Sequence, residues 1–538
     1  MACMNLSGFH LDHEGRQTNA QIQIQTKPLD NGTMVELRIS ASGTISGGVV
    51  VVPLPHHAST IIEQGFQSWS VMRRTSPSDV RPERMQAPRW FRGQMHARRD
   101  LPGQVLTGDG YLVFDGGVIG FLSAVVTFGT IVVNPDGSLA AQWLLDDLTL
   151  ASGASLVLDP LVLLLGDPGE TYDTFAQLSG RHSKARPFRR SARVWCSWYQ
   201  YFTAITPAII RDNLHLASQH GIEVVQIDDG WQAEIGVWDR PNEAWAESMD
   251  HLAADVKAQG CTPGIWTAPF LAIDGGALAT QHPDWLVRNE NGQPTTALFH
   301  GGWGGKIFAL DTSNPEVLTH LTETYATLRA QGYEYFKIDF LHAAATQGTR
   351  QHGSTMSRAQ ALRAGLAAIR AGIGEESYLV GCGSPLLSAV GFVDAMRVSE
   401  DVAPFFSPRV FFPGFEENTV SARNAIEPSI LRAPLHQRWF TLDPDCVPLR
   451  ETDTELSASE RIVVRDAALA ASGFIALSDD LSLYNQATWD EAAKLFADAS
   501  RHEGPRRIVD PFANPVIVTT PVGEFAIGWD PPIAERHI

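Results

Sequence analysis

Residues 194–231 read VWCSWYQYFTAITPAIIRDNLHLASQHGIEVVQIDDGW, and this stretch sets the expectation for the fold. Two short apolar runs, Val194–Trp198 and Val224–Asp228, flank the helix-like segment Pro207–His220. The proline at its start suits the first turn of a helix. A strand, a helix and a second strand in this order indicate two parallel strands joined by a helix.

The same rhythm continues to about residue 480. Further strands are predicted at Thr262–Ala268, Tyr335–Asp339, Ser377–Cys382, Ala395–Ser399, Arg438–Leu442 and Phe474–Ser478, and further helices at Pro315–Gln331 and Met356–Gly372. Eight strands fit a (β/α)₈ barrel, which usually takes about 250 residues. A doubly wound sheet is the alternative, but such a sheet usually carries a Gly-x-Gly-x-x-Gly turn that binds phosphate. The most similar segment in this chain, Gly381–Leu386, lacks the third glycine of that motif. We therefore predict an α/β protein with a central (β/α)₈ TIM barrel.

The regions on either side of the barrel differ from it. Up to about residue 186, runs rich in Val, Ile and Leu are separated by Asp-Gly and Gly-Gly turns, which predicts an N-terminal β-sandwich. The basic stretch Gly180–Arg193 is predicted to be a linker. After Asp480, the segments Pro515–Thr520 and Glu524–Trp529 predict a small C-terminal β domain. The predicted domains are residues 1–186, 187–480 and 481–538.

Composition excludes several classes of protein. The chain has 538 residues, of which 44% are hydrophobic, too many for a disordered protein. Its 41 basic and 60 acidic residues give a net charge of −19, which argues against nucleic-acid and anionic-membrane partners. The 5 cysteines are scattered, which indicates neither a disulfide framework nor a zinc site. Without a signal-like start or a long apolar stretch, we expect a cytoplasmic protein.

Charged residues follow the predicted strands where a barrel carries its chemistry. Lys337 and Asp339 are two residues apart, so both side chains lie on one face of their strand. We expect the ammonium group to keep Asp339 ionised, as suits a nucleophile. Arg397 precedes Asp401 by four residues, and Asp401 is the candidate second carboxylate. Two carboxylates from different strands, one charged and one protonated, are what glycoside hydrolysis needs.

Tryptophans favour a sugar ligand. Of the 14 in the chain, 8 lie between Trp195 and Trp303. Flat apolar rings beside carboxylates match a pyranose, with its C–H patches and hydroxyl edges. We expect Trp198, Trp231 and Trp266 near the ligand and the others in the core.

Each of these residues also has a purely structural interpretation. Asp228 and Asp229 could cap a helix, and Asp339 could form only a structural ion pair with Lys337. We expect His342 to be a pocket residue and not a metal ligand. Capping or turn roles are preferred for the remaining strand-end aspartates, which are Asp443, Asp445, Asp479 and Asp480.

Several long motifs occur in one order along the chain. They are Gln67–Trp69, Trp195–Phe202, Gln226–Trp231, Pro263–Phe270, Tyr335–Leu341, Gly381–Leu386, Met396–Phe405, Asp443–Cys446 and Ser478–Ser482. This series resembles glycoside hydrolase family 36, and among its members the bacterial α-galactosidases (melibiases). The resemblance covers nearly the whole chain. It implies a β-sandwich, a (β/α)₈ barrel and a small C-terminal β domain, and a retaining double displacement without metal or cofactor.

The resemblance also implies roles for individual residues. Asp339 matches the family nucleophile and Asp401 the acid/base, while Asp228 and Asp229 match the pair that holds the 4- and 6-hydroxyls of the sugar. Glu400 departs from the family pattern, but the following Ala-Pro-Phe aligns Asp401 with the acid/base. The other matched positions line the pocket: Trp266, Lys337, Cys382, Arg397 and, from the N-terminal domain, Trp69.

The resemblance predicts hydrolysis of terminal α-galactosides of the melibiose and raffinose type, with a small carbohydrate as the partner. Alternatives within the class are an α-N-acetylgalactosaminidase, a β-L-arabinopyranosidase and an α-galactosyl transglycosylase. Alternatives outside it are a lyase or isomerase barrel holding Mg²⁺ on Asp228, Asp229 and Asp339, and a sugar-binding protein without catalysis. A homo-oligomer is possible, and Trp69 could serve its own subunit or a neighbour.

Overall fold

The computed structural model describes residues 10–12, 20–79, 87–98, 101, 105–190, 192–245, 248–409 and 419–537. Its N-terminal part is one hydrogen-bonded network of 13 strands. The strands are His10–Asp12, Ala20–Leu29, Gly32–Ala41, Ile45–His57, Ile61–Gln64, Met72–Thr75, Leu106–Asp109, Tyr111–Phe114, Gly117–Phe121, Phe128–Val133, Ser138–Leu150, Ser155–Val157 and Leu161–Leu165. Neighbouring strands run antiparallel apart from a parallel contact between Gln64 and Gly108.

The central part contains eight parallel strands in the order expected for a barrel. They are Arg193–Cys196, Val224–Ile227, Thr262–Thr267, Tyr335–Ile338, Tyr378–Gly381, Ala395–Arg397, Thr441–Asp443 and Ile475–Leu477, and we number them as barrel strands one to eight. Strands seven and eight are joined where the backbone N–H of Val447 donates to Ala476 at 2.8 Å. Each predicted strand overlaps an observed one, so the prediction of a TIM barrel is confirmed.

Helices connect the barrel strands. They are Trp198–Tyr201, Pro207–Gln219, Met249–Ala258, Ala277–Gln281, Pro315–Ala330, Arg358–Ile373, Leu386–Ala389, Ala422–Leu431 and Ala458–Ala471. Two of the three predicted helices start at the predicted residues, Pro207 and Pro315, and the third starts at Arg358, two residues after the predicted Met356. The starts are fixed because side chains of Thr206, Asn314 and Ser357 accept hydrogen bonds from the free N–H groups of the first turn.

Short elements decorate the C-terminal face of the barrel. A hairpin is formed by Gln232–Glu234 and Val237–Pro241, and a three-stranded sheet by Leu271–Ile273, Thr296–His300 and Gly305–Ala309. Single 3₁₀ turns lie at Pro283–Trp285, Gly301–Trp303, Leu341–Ala345, Ala433–Leu435 and Leu481–Leu483.

Two helices in the N-terminal region were not predicted. They are Arg89–Met95 and Pro168–His182. The second begins after Asp167, whose side chain accepts from the N–H of Glu170, and it occupies the start of the predicted linker Gly180–Arg193. The linker prediction was therefore wrong at its N-terminal end, because a capped, amphipathic helix continues there.

The C-terminal region begins with the helix Gln486–Arg501. Its Trp489 stacks on His220 with ring centroids 3.7 Å apart, which joins this helix to the barrel. A four-stranded sheet follows, made of Arg507–Ile508, Val516–Thr520, Gly523–Trp529 and Pro532–His537. The boundaries proposed at residues 186 and 480 stay predictions. Within the described ranges, the chain has no helix both long and apolar enough to cross a membrane.

A buried arginine ties the N-terminal sheet to the barrel. Arg432 is fully buried, and its guanidinium donates to Gln64 Oε1 and to the carbonyls of Ser68, Ser70 and Val398 at 2.6–3.3 Å. Three of these acceptors belong to the N-terminal loop 64–71 and the fourth to the end of barrel strand six. One side chain therefore fixes both segments with respect to each other.

Candidate active site

The C-terminal ends of the barrel strands bring the predicted charged residues together. Asp228 and Asp229 follow strand two, and Lys337 and Asp339 lie at the end of strand four. All four are buried, with 8% exposure or less. The arrangement matches the position at which barrels of this type carry their chemistry.

Each carboxyl oxygen of Asp339 accepts a hydrogen bond. Trp266 Nε1 donates to Oδ2 at 3.0 Å, and the backbone N–H of Phe340 donates to Oδ1 at 2.8 Å. Burial raises the pKa of Asp339, while the charge of Lys337 and the hydrogen bonds from Trp266 and Cys382 act in the opposite direction. The carboxylate is therefore oriented in a site that water screens little.

The backbone directly after Asp339 is strained. Phe340 has a φ of +55°, in the left-handed region that a bulky residue rarely adopts. Its ring packs edge-to-face against Trp69 and Trp303, with centroids 4.8 and 5.1 Å away. Such strain persists where the surroundings determine the conformation, and it is concentrated at functional sites.

Lys337 forms its ion pair with a residue of another strand. Its Nζ forms an ion pair with Asp228 Oδ2 at 2.9 Å, although Lys337 and Asp339 share a strand face. Gln226 Nε2 and the Cys196 thiol donate to the same oxygen at 2.6 and 3.3 Å. Burial lowers the pKa of Lys337, but the negative charges around it, with Asp228 the strongest, together outweigh this effect and the pKa lies well above its usual value. The structural alternative, an ion pair between Lys337 and Asp339, is not formed, because the ammonium reaches Asp228 across the barrel interior. The charge of Lys337 nevertheless acts to lower the pKa of Asp339, in the expected direction.

Two neutral side chains donate hydrogen bonds to Asp229. Gln232 Nε2 donates to Oδ1 at 2.6 Å and Trp303 Nε1 donates to Oδ2 at 2.8 Å. Burial raises the pKa of Asp229 to about 6, and the charges of Asp228 and Asp339 add to this effect. Trp303 was not expected at the site. It comes from a 3₁₀ turn in the rim sheet, and no strand-end position marks it in the sequence.

Trp69 of the N-terminal loop reaches the barrel of its own chain. Its indole N–H donates to Cys382 Sγ at 3.1 Å. The backbone N–H of Ser68 donates to Ser384 at 2.9 Å, and Gly383 N–H donates to Ser68 Oγ at 2.8 Å. Gly383 has a φ of +66°, and a Cβ there would lie 3.0 Å from the Trp69 ring. The close approach of the two domains therefore requires a glycine.

Arg397 brings Asp401 to the second part of the site. Its Nη1 donates to Asp401 Oδ1 at 3.0 Å and to the Tyr199 hydroxyl at 3.2 Å. The Asp401 side chain is 38% exposed, while that of Arg397 is 3% exposed. The neighbouring Glu400 is buried and its charge acts on Arg432. Of the two adjacent acids, Asp401 is therefore the one with access to solvent.

The remaining predicted residues have less direct positions. Trp231 is fully buried and its indole N–H donates to the carbonyl of Trp266 at 2.9 Å, so it supports strand three. Trp198 starts a short helix and packs against Phe202 at 5.2 Å. Burial lowers the pKa of His342 to about 4, so its ring is neutral at pH 7. Contact of the two tryptophans with a ligand stays a prediction.

The strand-end aspartates divide into two groups. Asp480 caps a 3₁₀ turn by accepting from Ser482 N–H at 2.9 Å, and Asp479 accepts from the N–H groups of Leu449 and Arg450, as expected for turn residues. Asp445 differs, because it forms an ion pair with Arg397 at 2.5 Å. Within the described ranges, no group of three or more His, Cys, Asp or Glu side chains is arranged to hold a metal ion.

Comparisons with known proteins show which proteins this chain is similar to. Residues 184–371 match the melibiase family. The α-galactosidase AgaA of Geobacillus stearothermophilus is 29% identical over 131 residues, which are 23% of this chain and 17% of that protein. Alpha-galactosidase 2 of Pediococcus pentosaceus is 24% identical over 166 residues, which are 30% of this chain and 22% of that protein. Each alignment covers less than a quarter of the relative's own length.

One solved structure is similar over almost the whole chain. It is the α-galactosidase from Thermus thermophilus in complex with p-nitrophenyl α-D-galactopyranoside, with a TM-score of 0.73 and 27% identity. The match covers 93% of this chain and 98% of that one. The fold and the melibiase match define a glycoside hydrolase. The resemblance of the motifs to glycoside hydrolase family 36 is supported by two findings: residues 184–371 match the melibiase family, and the fold is similar to that of the family 36 α-galactosidase AgaA from Geobacillus stearothermophilus, with a TM-score of 0.63.

Proposed function

We propose that this protein hydrolyses terminal α-D-galactosidic bonds with retention of configuration, using Asp339 as nucleophile and Asp401 as acid/base. The observation that carries the proposal is the contrast between the two carboxylates. Asp339 is buried and fixed on both oxygens by Trp266 and Phe340, as suits a group that attacks one carbon atom. Asp401 is partly exposed and lies beside Arg397, as suits a group that exchanges protons with water.

The reaction has two steps. Asp339 attacks the anomeric carbon while protonated Asp401 gives its proton to the leaving oxygen. Water then attacks the glycosyl-enzyme, and ionised Asp401 takes the proton of that water. Retention requires carboxyl groups about 5–5.5 Å apart, against about 6.5–9.5 Å for inversion.

Asp228 and Asp229 are proposed to select galactose. Both are buried, and their carboxylates would accept hydrogen bonds from the axial 4-hydroxyl and the 6-hydroxyl. A sugar that lacks these hydroxyl positions would leave buried carboxylates poorly satisfied, which is costly. The Thermus relative has also been solved in complex with stachyose, which supports galactosides as the substrate class.

Galactose is favoured over N-acetylgalactosamine by the packing of Trp69. If Cys382 lies near the 2-position, an acetamido group needs free space beside that thiol. The Trp69 indole occupies this space, since its N–H contacts Cys382 Sγ at 3.1 Å and its ring lies against Gly383. Transglycosylation stays an alternative, because it differs from hydrolysis only in the acceptor of the second step.

Proton NMR of 4-nitrophenyl α-D-galactopyranoside during the first minutes of reaction tests this proposal. Early α-galactose supports the retaining mechanism, and early β-galactose contradicts the two assigned roles. Absence of any released sugar contradicts the substrate class, and N-acetylgalactosaminides and arabinosides are then the next substrates. A control with EDTA tests the metal-free mechanism, since loss of activity would favour the Mg²⁺-dependent alternative.

The cytoplasmic location and the homo-oligomer stay predictions. Size-exclusion chromatography with light scattering measures the oligomeric state, and fractionation of the native host measures the location.

A further inference from the structure

Arg397 is shared among three carboxylates. Besides Asp401, its Nη2 contacts Asp445 Oδ1 at 2.5 Å and its Nε lies 3.6 Å from Asp443 Oδ2. All of these groups except Asp401 are buried. One positive charge therefore faces up to three negative charges, two of which follow or end strand seven.

Asp445 also holds the surroundings of Asp401 directly. Its Oδ2 accepts from the backbone N–H of Val402, the residue after Asp401, at 2.7 Å. The same oxygen accepts from the Tyr199 hydroxyl, which in turn accepts from Arg397 Nη1 at 3.2 Å. Asp445 thus contacts three groups around Asp401: the Arg397 guanidinium, the Tyr199 hydroxyl and the backbone N–H of Val402.

The chemistry of Asp401 makes such sharing important. The acid/base must carry a proton at the start of the first step and must be ionised in the second. An undivided ion pair with an arginine lowers a carboxyl pKa by about 1–3 units, which would leave too little of the protonated acid. A second carboxylate that also binds the Arg397 guanidinium, such as that of Asp445, weakens the effect of Arg397 on the acid/base.

We propose that Asp445 is a positioning residue for the acid/base: it holds Arg397 and the Val402 N–H so that Asp401 stays in place and remains able to carry a proton. This inference rests on the proposed function. Asp445 has a φ of +81°, a conformation that aspartate adopts more readily than most residues. Burial raises the pKa of Asp445 to about 6, with the charge of Arg397 acting in the opposite direction. Asp445 is thus ionised at neutral pH and competes for Arg397.

Other charged groups also face Asp401. Asp339 from strand four acts on it across the site, since the charge of Asp401 raises the pKa of Asp339. Tyr199 from the loop after strand one and the Cys382 thiol are further titratable neighbours of Asp401 among the described residues, while the Cys446 thiol interacts with Asp445 and Arg397. Asp443 is farther from Arg397 than Asp445 is, so it supplies a matched control.

Asp445→Asn tests the proposal, because it removes the charge and keeps the shape. In the pH profile of kcat/KM, the alkaline limb reports the group that must be protonated. We expect this limb to move down by about one pH unit in Asp445→Asn, and less in Asp443→Asn. We expect the loss in kcat/KM at pH 7 to be about tenfold greater for raffinose than for 4-nitrophenyl galactoside, since nitrophenolate leaves without an acid.

A substrate-free measurement separates this proposal from the proposed function. Carbon-13 NMR of labelled aspartate carboxyls gives the pKa of Asp401, whose signal is assigned by its loss in Asp401→Asn. A lower pKa in Asp445→Asn supports the positioning role whichever glycoside is cleaved. An unchanged Asp401 pKa, or equal losses on both substrates, overturns it and leaves Asp445 a structural residue.

Tyr199→Phe is a second variant that tests the same proposal if Asp445→Asn does not fold. It removes the hydroxyl between Asp445 and Arg397, so that Nη1 turns fully to Asp401. We expect a smaller fall of the Asp401 pKa in the same direction. A rise or no change contradicts the proposal.

Discussion

The two halves of the site hold their carboxylates in different ways. In the half formed by strands two to four, the ammonium of Lys337 is paired with Asp228, and Asp339 has a hydrogen-bond donor on each oxygen. In the half formed by strands six and seven, Arg397 faces three carboxylates and Asp401 is partly exposed. In the first half, each charged group is buried and has hydrogen-bond partners of its own. In the second half, three carboxylates share the positive charge of Arg397, and one of them, Asp401, is in contact with solvent.

This difference corresponds to two chemical tasks. A nucleophile and the groups that grip a sugar need fixed positions, which burial and dedicated donors provide. An acid/base exchanges a proton with water in each cycle, so it needs solvent access and a balanced charge environment. In the proposed mechanism, one side of the barrel rim would provide rigidity and the other would exchange protons with water.

Among the variants of the half formed by strands two to four, Asp339→Ala is expected to have the largest effect on activity. We expect a loss of about 10⁴-fold or more in kcat on any substrate, because the nucleophile is removed. Circular dichroism and thermal unfolding should show that the fold is kept. Near-normal turnover would contradict the nucleophile assignment.

Lys337→Met tests whether the first half depends on its single ion pair. Removing one partner of a buried pair leaves an uncompensated charge, and we expect the free energy of unfolding to fall by about 3–5 kcal/mol. Urea unfolding measures this. The double variant Lys337→Met/Asp228→Asn should recover most of the loss, while remaining inactive.

An exposed ion pair of the same type gives the control. Lys257 and Glu334 lie 2.8 Å apart with both side chains more than 40% exposed. Lys257→Met should cost about 0–1 kcal/mol. If both lysine variants lose the same stability, burial is not the reason for the strength of the inner pair.

Asp401→Asn tests the second half. We expect a loss of about 10²-fold or more in kcat/KM on raffinose, where the leaving group needs a proton, and a much smaller loss on 4-nitrophenyl galactoside. The alkaline limb of the pH profile should disappear. Equal losses on the two substrates would indicate that Asp401 is not the acid.

Asp229→Asn has the smallest expected effect and concerns pH. Burial raises the pKa of Asp229 to about 6 in the folded protein. The group therefore binds a proton more tightly when folded, and its ionisation lowers stability as the pH rises through 6. Asn removes this penalty of about 3 kcal/mol but satisfies only one of the two donors well, which costs about 2 kcal/mol at every pH. We therefore expect a net gain of about 1 kcal/mol at pH 8 and a net loss of about 1–2 kcal/mol near pH 4. A gain that is the same at both pH values would contradict the shifted pKa.

The sequence predicted the barrel well because its signals are local. Each barrel strand is a short apolar run between helix-like segments, and residues such as Thr206 and Ser357 mark helix starts by their side-chain chemistry. The positions of Asp228, Asp339 and Asp401 at strand ends follow from the same pattern.

Pairings across the barrel could not be predicted in this way. The spacing of Lys337 and Asp339 places both on one strand face, but Lys337 binds Asp228 from a different strand. Trp303 reaches Asp229 from a rim turn more than 70 residues away in sequence. Asp445 looks like a turn residue in sequence, and only the fold brings it to Arg397.

Arg432 has a consequence for how such proteins diversify. Its guanidinium requires a glutamine side chain and two carbonyls from the sandwich loop, and one carbonyl from the barrel. An N-terminal sheet of different sequence would leave this buried cation without those acceptors, which is strongly destabilising. The N-terminal sheet and the barrel therefore cannot be exchanged independently, and a hybrid chain would need the same three acceptors at this joint.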